Sequence, residues 1–129
     1  MSREVEPNGS REDTAGHAWF QIEQMAGCAV VRVGGDIDTH SIHRFDVTVT
    51  EAVGLARHVV IDLSQVTFVD SSGLGALIVA RKSARQGGGS MSLVSPPAVV
   101  RRLLGSTQLH DVFAIYDSVD EAVNAPIPP

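Results

Sequence analysis

Residues 59–82 read VVIDLSQVTFVDSSGLGALIVARK. The architecture turns on the point in this stretch where an apolar run gives way to two serines and two glycines. HVVIDL, bounded by Arg57 and by Ser64-Gln65, lacks the polar alternation of a strand with one wet face. It reads as a short strand buried on both sides, and therefore central. Beyond SQVTFVD, the segment Ser72–Gln86 carries Leu74, Leu77 and Ile78 on one stripe at helical spacing. Arg81, Lys82 and Arg85 complement the negative end of the helix dipole, and Gly87-Gly88-Gly89 supply a stop. A buried strand thus hands over to a helix at Ser71-Ser72.

Working outward, WFQIEQ (19–24) alternates apolar and polar residues, and CAVVRVGG (28–35) follows after a Met25-Ala26-Gly27 connection, which predicts a hairpin closed off by Gly34-Gly35. Asp36, Asp38 and Thr39 offer turn and capping groups ahead of HSIHRFDVTVTEAVGL, where Ile42, Phe45, Val49 and Val53 recur at helical spacing. On the other side, SMSLVS predicts a fourth strand. SPPAVVRRLLG predicts a short helix with Ser95 at its N-cap and Gly105 past its end. VFAIYD predicts a fifth strand, and Ser118 with Glu121 a capping box opening a last helix. This order implies an α/β fold, a mixed five-stranded sheet with helices packed on it, in one domain spanning 18–124. Residues 1–17 and 125–129, polar and proline-rich respectively, read as flexible tails.

Composition narrows the function. At 43% hydrophobic and 19% charged residues the chain has the make-up of an ordinary globular protein. Its net charge of -5 argues against a grip on nucleic acid, Arg101-Arg102 being the nearest thing to a basic stripe. No apolar stretch approaches the roughly 18 residues of a membrane span. A single cysteine, Cys28, and the lack of a signal-peptide pattern favour the cytoplasm. Cys28 lies in an apolar strand and reads as a small core residue.

The junction itself admits several chemistries. Gly73 and Gly75 begin a glycine-rich turn, but Ile78 stands where a dinucleotide fingerprint needs its third glycine, and no Gly-Lys-Ser/Thr follows. Ser71 and Ser72 lack the flanking glycines of a hydrolase elbow. His110, the one histidine after them, lies in the polar STQLHD segment, which reads as a capped turn. Asp36, Asp38, His40 and His43 could be metal ligands, though acidic groups at a helix start are accounted for by the dipole. Two readings of the serines stay open on residue type alone. One is N-capping by Ser71 or Ser72; the other is modification of an accessible hydroxyl by a partner protein.

Three stretches carry a resemblance: GGDIDTHS (34–41), VVIDLSQVTFVDSSGLGALIVARK (59–82), and GGSMSLVSPPAVVRRLLGSTQLHDVFAIYDSVDEAV (88–123). Together they resemble the small bacterial anti-sigma factor antagonists built on the STAS domain, whose signature looks like DSSGLG, and the likeness runs over about residues 19–124. The resemblance implies a non-catalytic module with no cofactor of its own. It also implies a partner, an anti-sigma factor that is a serine kinase and brings the ATP. By position, the phosphorylated serine would be Ser71, directly after Asp70. Asp36, Asp38, Asp70, Ser72, Gly73 and Gly75 would contribute to the partner surface, the glycines by leaving little bulk above the helix start. Unphosphorylated protein would bind the anti-sigma factor and free a sigma factor, phosphorylation would end that binding, and a serine phosphatase would restore it. A STAS module that is not phosphorylated and serves as a scaffold or ligand sensor is the alternative.

Overall fold

The computed structural model describes residues 17–106 and 112–126. His110, the expected N-terminal tail except His17, and the last three residues of the C-terminal tail lie outside them. Among the described residues the elements follow in the order β1 (Trp19–Met25), β2 (Cys28–Ile37), α1 (Ile42–Leu55), β3 (His58–Val69), α2 (Ser71–Gln86), β4 (Ser90–Val94), α3 (Ala98–Ser106), β5 (Ala114–Tyr116) and α4 (Val119–Asn124). The sheet order is β1-β2-β3-β4-β5, with β1 antiparallel to β2 and the remaining pairs parallel. The expected mixed five-stranded sheet is therefore present, and β3 is its middle strand.

Consecutive parallel neighbours joined by right-handed crossovers place their connecting helices on one face of a sheet. That face holds the main core. Val31, Val33, Val59, Ile61, Leu63 and Leu93 pack there beneath Phe45 and Val49 of α1, Leu74 and Leu77 of α2, and Val100 and Leu104 of α3. On the other face Cys28, Val30, Val60 and Val94 are covered by Ala122, Val119 and Val123 of α4. Burial pushes the Cys28 thiol above its ordinary pKa, as befits a core residue.

Several boundaries differ from expectation, each for a local reason. β2 does not stop at Gly34-Gly35 but runs through them to Ile37, because the glycines take up two register shifts against β3. Gly35 sits at φ +82, a conformation that costs other residues dearly. β3 likewise continues past Ser64-Gln65 to Val69. β4 pairs with His58–Asp62 alone, so the polar second half of β3 is a pairing surface for β2. Ser95 does not cap α3: it sits at φ +50, and the Pro97 carbonyl accepts the first helical bonds from Val100 and Arg101. Gly105 lies inside that helix. Ile78 leaves the expected core stripe of α2 and is 38% exposed, while the small residues Ala76, Ala80 and Ala84 are buried in its place.

Candidate functional site

The β3–α2 junction is organised by Asp70. This residue is extended and directly follows β3, and its Oδ1 accepts from the backbone N–H of Ser72 (2.9 Å) and of Gly73 (3.1 Å). Asp70 is thus the N-cap, and the reading that gave this role to Ser71 or Ser72 is corrected: both serines already lie within the first helical turn. Replacing Asp70 with Ala should lower stability by about 1 kcal/mol, measured by denaturant unfolding.

The same oxygen accepts a third bond, from the Ser72 hydroxyl at 2.6 Å. That hydroxyl holds the Asp70 carboxyl below its ordinary value of 3.8; partial burial pushes the other way, and the Gly73 and Ser72 N–H groups add to the lowering. A depressed folded-state value stabilises fully above the unfolded value, and that contribution is lost as pH falls through the folded one. Asp70→Asn, which keeps an acceptor but cannot titrate there, should therefore lose less stability than wild type as pH is taken below 3.8, read from denaturant midpoints against pH.

Ser72 is half-buried with its proton committed to Asp70, whereas Ser71 is exposed and makes no side-chain hydrogen bond among the described residues. Two serines of like appearance in sequence are chemically unlike in place.

The end of β2 is brought against this junction. Ile37 pairs with Val69, and its carbonyl accepts from the Asp70 N–H at 3.2 Å. Asp36 and Asp38 consequently lie on either side of the strand residue that meets the helix start. They do not cap α1, which begins at Ile42; they build the turn before it. Asp36 Oδ1 accepts from Thr67 Oγ1 (2.7 Å), and Asp38 Oδ1 accepts from the His40 N–H (3.0 Å). Ser41, 4% exposed, donates its hydroxyl to the Asp36 carbonyl (2.9 Å) and accepts from the Asp38 N–H (3.1 Å). Ser41 closes this local turn, whereas Thr67 reaches Asp36 only through the register of β2 against β3, which the sequence does not display. His40 precedes α1 and His43 lies within it, so the two do not stand on successive turns of one helix. Among the described residues no three His, Cys, Asp or Glu side chains gather to hold a metal ion.

The two glycines part company. A Cβ on Gly73 would stand 2.8 Å from both the Ile37 carbonyl oxygen and Val69 Cγ1, so this glycine lets α2 press on the end of β2. Gly75, about half a turn on, has open space where its Cβ would be. Gly75→Ala should raise thermal and denaturant stability by up to about 1 kcal/mol through helix propensity. From Ser71 the same helix face continues through Gly75 to Ile78 and Lys82, beside Val79, which is 59% exposed. The site offers a free hydroxyl beside the Asp70 cap, an adjoining β2 end that carries Asp36 and Asp38, and an apolar strip leading away along α2. None of the described helices is long and apolar enough to cross a membrane.

Comparison with known proteins gives a consistent result. The family model described as "STAS domain" matches residues 20–122. The chain is similar to the anti-sigma F factor antagonist of Paenibacillus polymyxa, 34% identical over 103 residues, covering 77% of this chain and 86% of that protein. Among solved structures, an anti-sigma factor antagonist from Mycobacterium paratuberculosis superposes with a TM-score of 0.76 at 27% identity, covering 85% of this chain and 94% of that one. The Bacillus cell fate determinant SpoIIAA in its phosphorylated form shares the fold, with a TM-score of 0.67 at 21% identity over 81% of this chain and 96% of that one.

Proposed function

Because the chain belongs to the STAS-domain family of anti-sigma factor antagonists, which are non-enzymatic regulators, we propose that its unphosphorylated form binds an anti-sigma factor and thereby frees a sigma factor. Phosphorylation of Ser71 by that anti-sigma factor, acting as a serine kinase with its own ATP, ends the binding. A serine phosphatase resets the switch.

The observation that carries this reading is the state of Ser71: exposed, first in α2, with its hydroxyl uncommitted beside an Asp70 cap that holds the helix start in place. A kinase needs such a hydroxyl. The added phosphate brings about -1.5 to -2 charges. It enters a region that already holds Asp36, Asp38 and Asp70, so a partner that docks over the helix start meets concentrated negative charge and added bulk. The helix itself tolerates an anion at its N-terminus, and the switch therefore acts on docking without refolding the chain. Ile78 and Val79 extend the docking face along α2, and Asp36, Asp38, Ser72 and Gly75 border it; Gly73 contributes indirectly, by seating the helix.

The test is a competition. Purified protein is added to each anti-sigma–sigma complex encoded in the same genome, and release of sigma is followed by size-exclusion chromatography. Release from one complex, abolished when ATP permits phosphorylation and retained by Ser71→Ala under the same conditions, is the expected result. Stable binding with no effect of ATP would instead point to an unphosphorylated scaffold.

A further inference from the structure

On the reading above that Ser71 is the modified residue, we propose that Asp70 decides which of the two adjacent serines takes the phosphate, by engaging the Ser72 hydroxyl and leaving that of Ser71 free. Phosphoryl transfer to a serine forms an Oγ–P bond, breaks the bond between the γ-phosphorus and the bridging oxygen of ATP, releases ADP, and passes the hydroxyl proton to a base in the kinase. The reacting hydroxyl must point its oxygen outward and give its proton to that base.

Ser72 meets neither requirement. Its hydroxyl is 2.6 Å from Asp70 Oδ1, within the short range of a hydroxyl donating to a carboxylate, so its proton is already engaged inside the molecule. The residue is half-buried where Ser71 is exposed. Asp70 cannot swing away with it, because the same oxygen is tied to the Ser72 and Gly73 N–H groups at 2.9 and 3.1 Å. A phosphate on Ser72 would also stand against a carboxylate that remains ionised at neutral pH. Asp70 is a positioning residue here: it touches no reacting atom, and it acts by withholding one of two candidate nucleophiles.

The experiment uses the full chain and the kinase that labels it, and maps phosphopeptides by fragmentation that distinguishes Ser71 from Ser72. Wild type should carry the phosphate on Ser71, and Ser71→Ala should take up almost none. Asp70→Asn keeps a capping acceptor but replaces the charge-assisted bond with a neutral one about half as strong, so the Ser72-to-Ser71 labelling ratio should rise about tenfold. Asp70→Asn/Ser71→Ala should regain label on Ser72. A purely structural role would change the total rate of labelling and leave that ratio alone, so an unchanged ratio overturns the proposal while the Ser71 switch stands. Absence of label from wild type with every candidate kinase overturns the switch, and this proposal with it. A readout without any kinase guards against variants that misfold: the Asp70 carboxyl, followed by NMR, should titrate higher in Ser72→Ala and unchanged in Ser71→Ala. An unmoved Asp70 in Ser72→Ala would show that the two groups are not engaged.

Discussion

Ser71→Asp should bind the proposed anti-sigma factor about a hundredfold more weakly than wild type, a loss of about 2.7 kcal/mol. The substitution places a fixed carboxylate next to Asp70, at the start of α2 against which the β2 end carrying Asp36 and Asp38 is packed, at the centre of the proposed docking face. Like charges forced together beneath a partner cost several kcal/mol, because the partner must cover them without water to screen them. The fold is not the casualty. A negative charge in the first turn of a helix is favourable by about 0.3–1 kcal/mol, so Ser71→Asp should unfold at least as late as wild type. Ser71→Ala should bind as wild type does and take up no phosphate at that position. Titration calorimetry on the three proteins separates these outcomes; equal affinity of wild type and Ser71→Asp would remove the electrostatic basis of the switch.

Gly73→Ala should cost about 1–3 kcal/mol in denaturant unfolding, the usual penalty for forcing an extra methyl into filled space. The new Cβ meets the Ile37 carbonyl oxygen and Val69 Cγ1 at 2.8 Å and Ile37 Cγ2 at 2.9 Å. Two of these are groups at the closely packed strand ends, and the third is backbone that cannot yield alone. The Ile37 carbonyl also accepts from the Asp70 N–H, so relief of the clash would have to move the cap itself. The opposite sign expected at Gly75 makes the pair informative: two glycines two residues apart, one spacing the helix from the sheet and one facing open space. Similar destabilisation at both would mean that α2 is seated differently.

The order of elements was legible because strong punctuation bounds each one. The Ala26-Gly27 turn closes the hairpin, with both residues at positive φ, and Gly87-Gly88-Gly89 end α2 with Gly88 at φ +83. Ser118 accepts from the Glu121 N–H as the capping pattern requires. What was not legible depends on neighbours distant in sequence. Gly34-Gly35 looked like a stop, and only pairing with β3 turns them into irregularities within a strand. Ser64-Gln65 read as a strand boundary because nothing in the sequence says that β2 goes on pairing with β3 where β4, which pairs no further than Asp62, does not. At the site, the family signature pointed to the β3–α2 junction, but the division of labour among its residues is a matter of geometry. Asp70 rather than either serine caps the helix, one serine is held and the other is not, and Asp36 finds Thr67 across the sheet.

The proposed switch requires Ser71 to be the residue that receives phosphate. Intact-mass measurement followed by phosphopeptide mapping, after incubation with ATP and each anti-sigma kinase encoded in the same genome, tests it most directly. One phosphate, on Ser71, in the presence of one of these kinases is the predicted result. A phosphate on Ser72, or no phosphate from any kinase despite a stable complex with one of them, would contradict it.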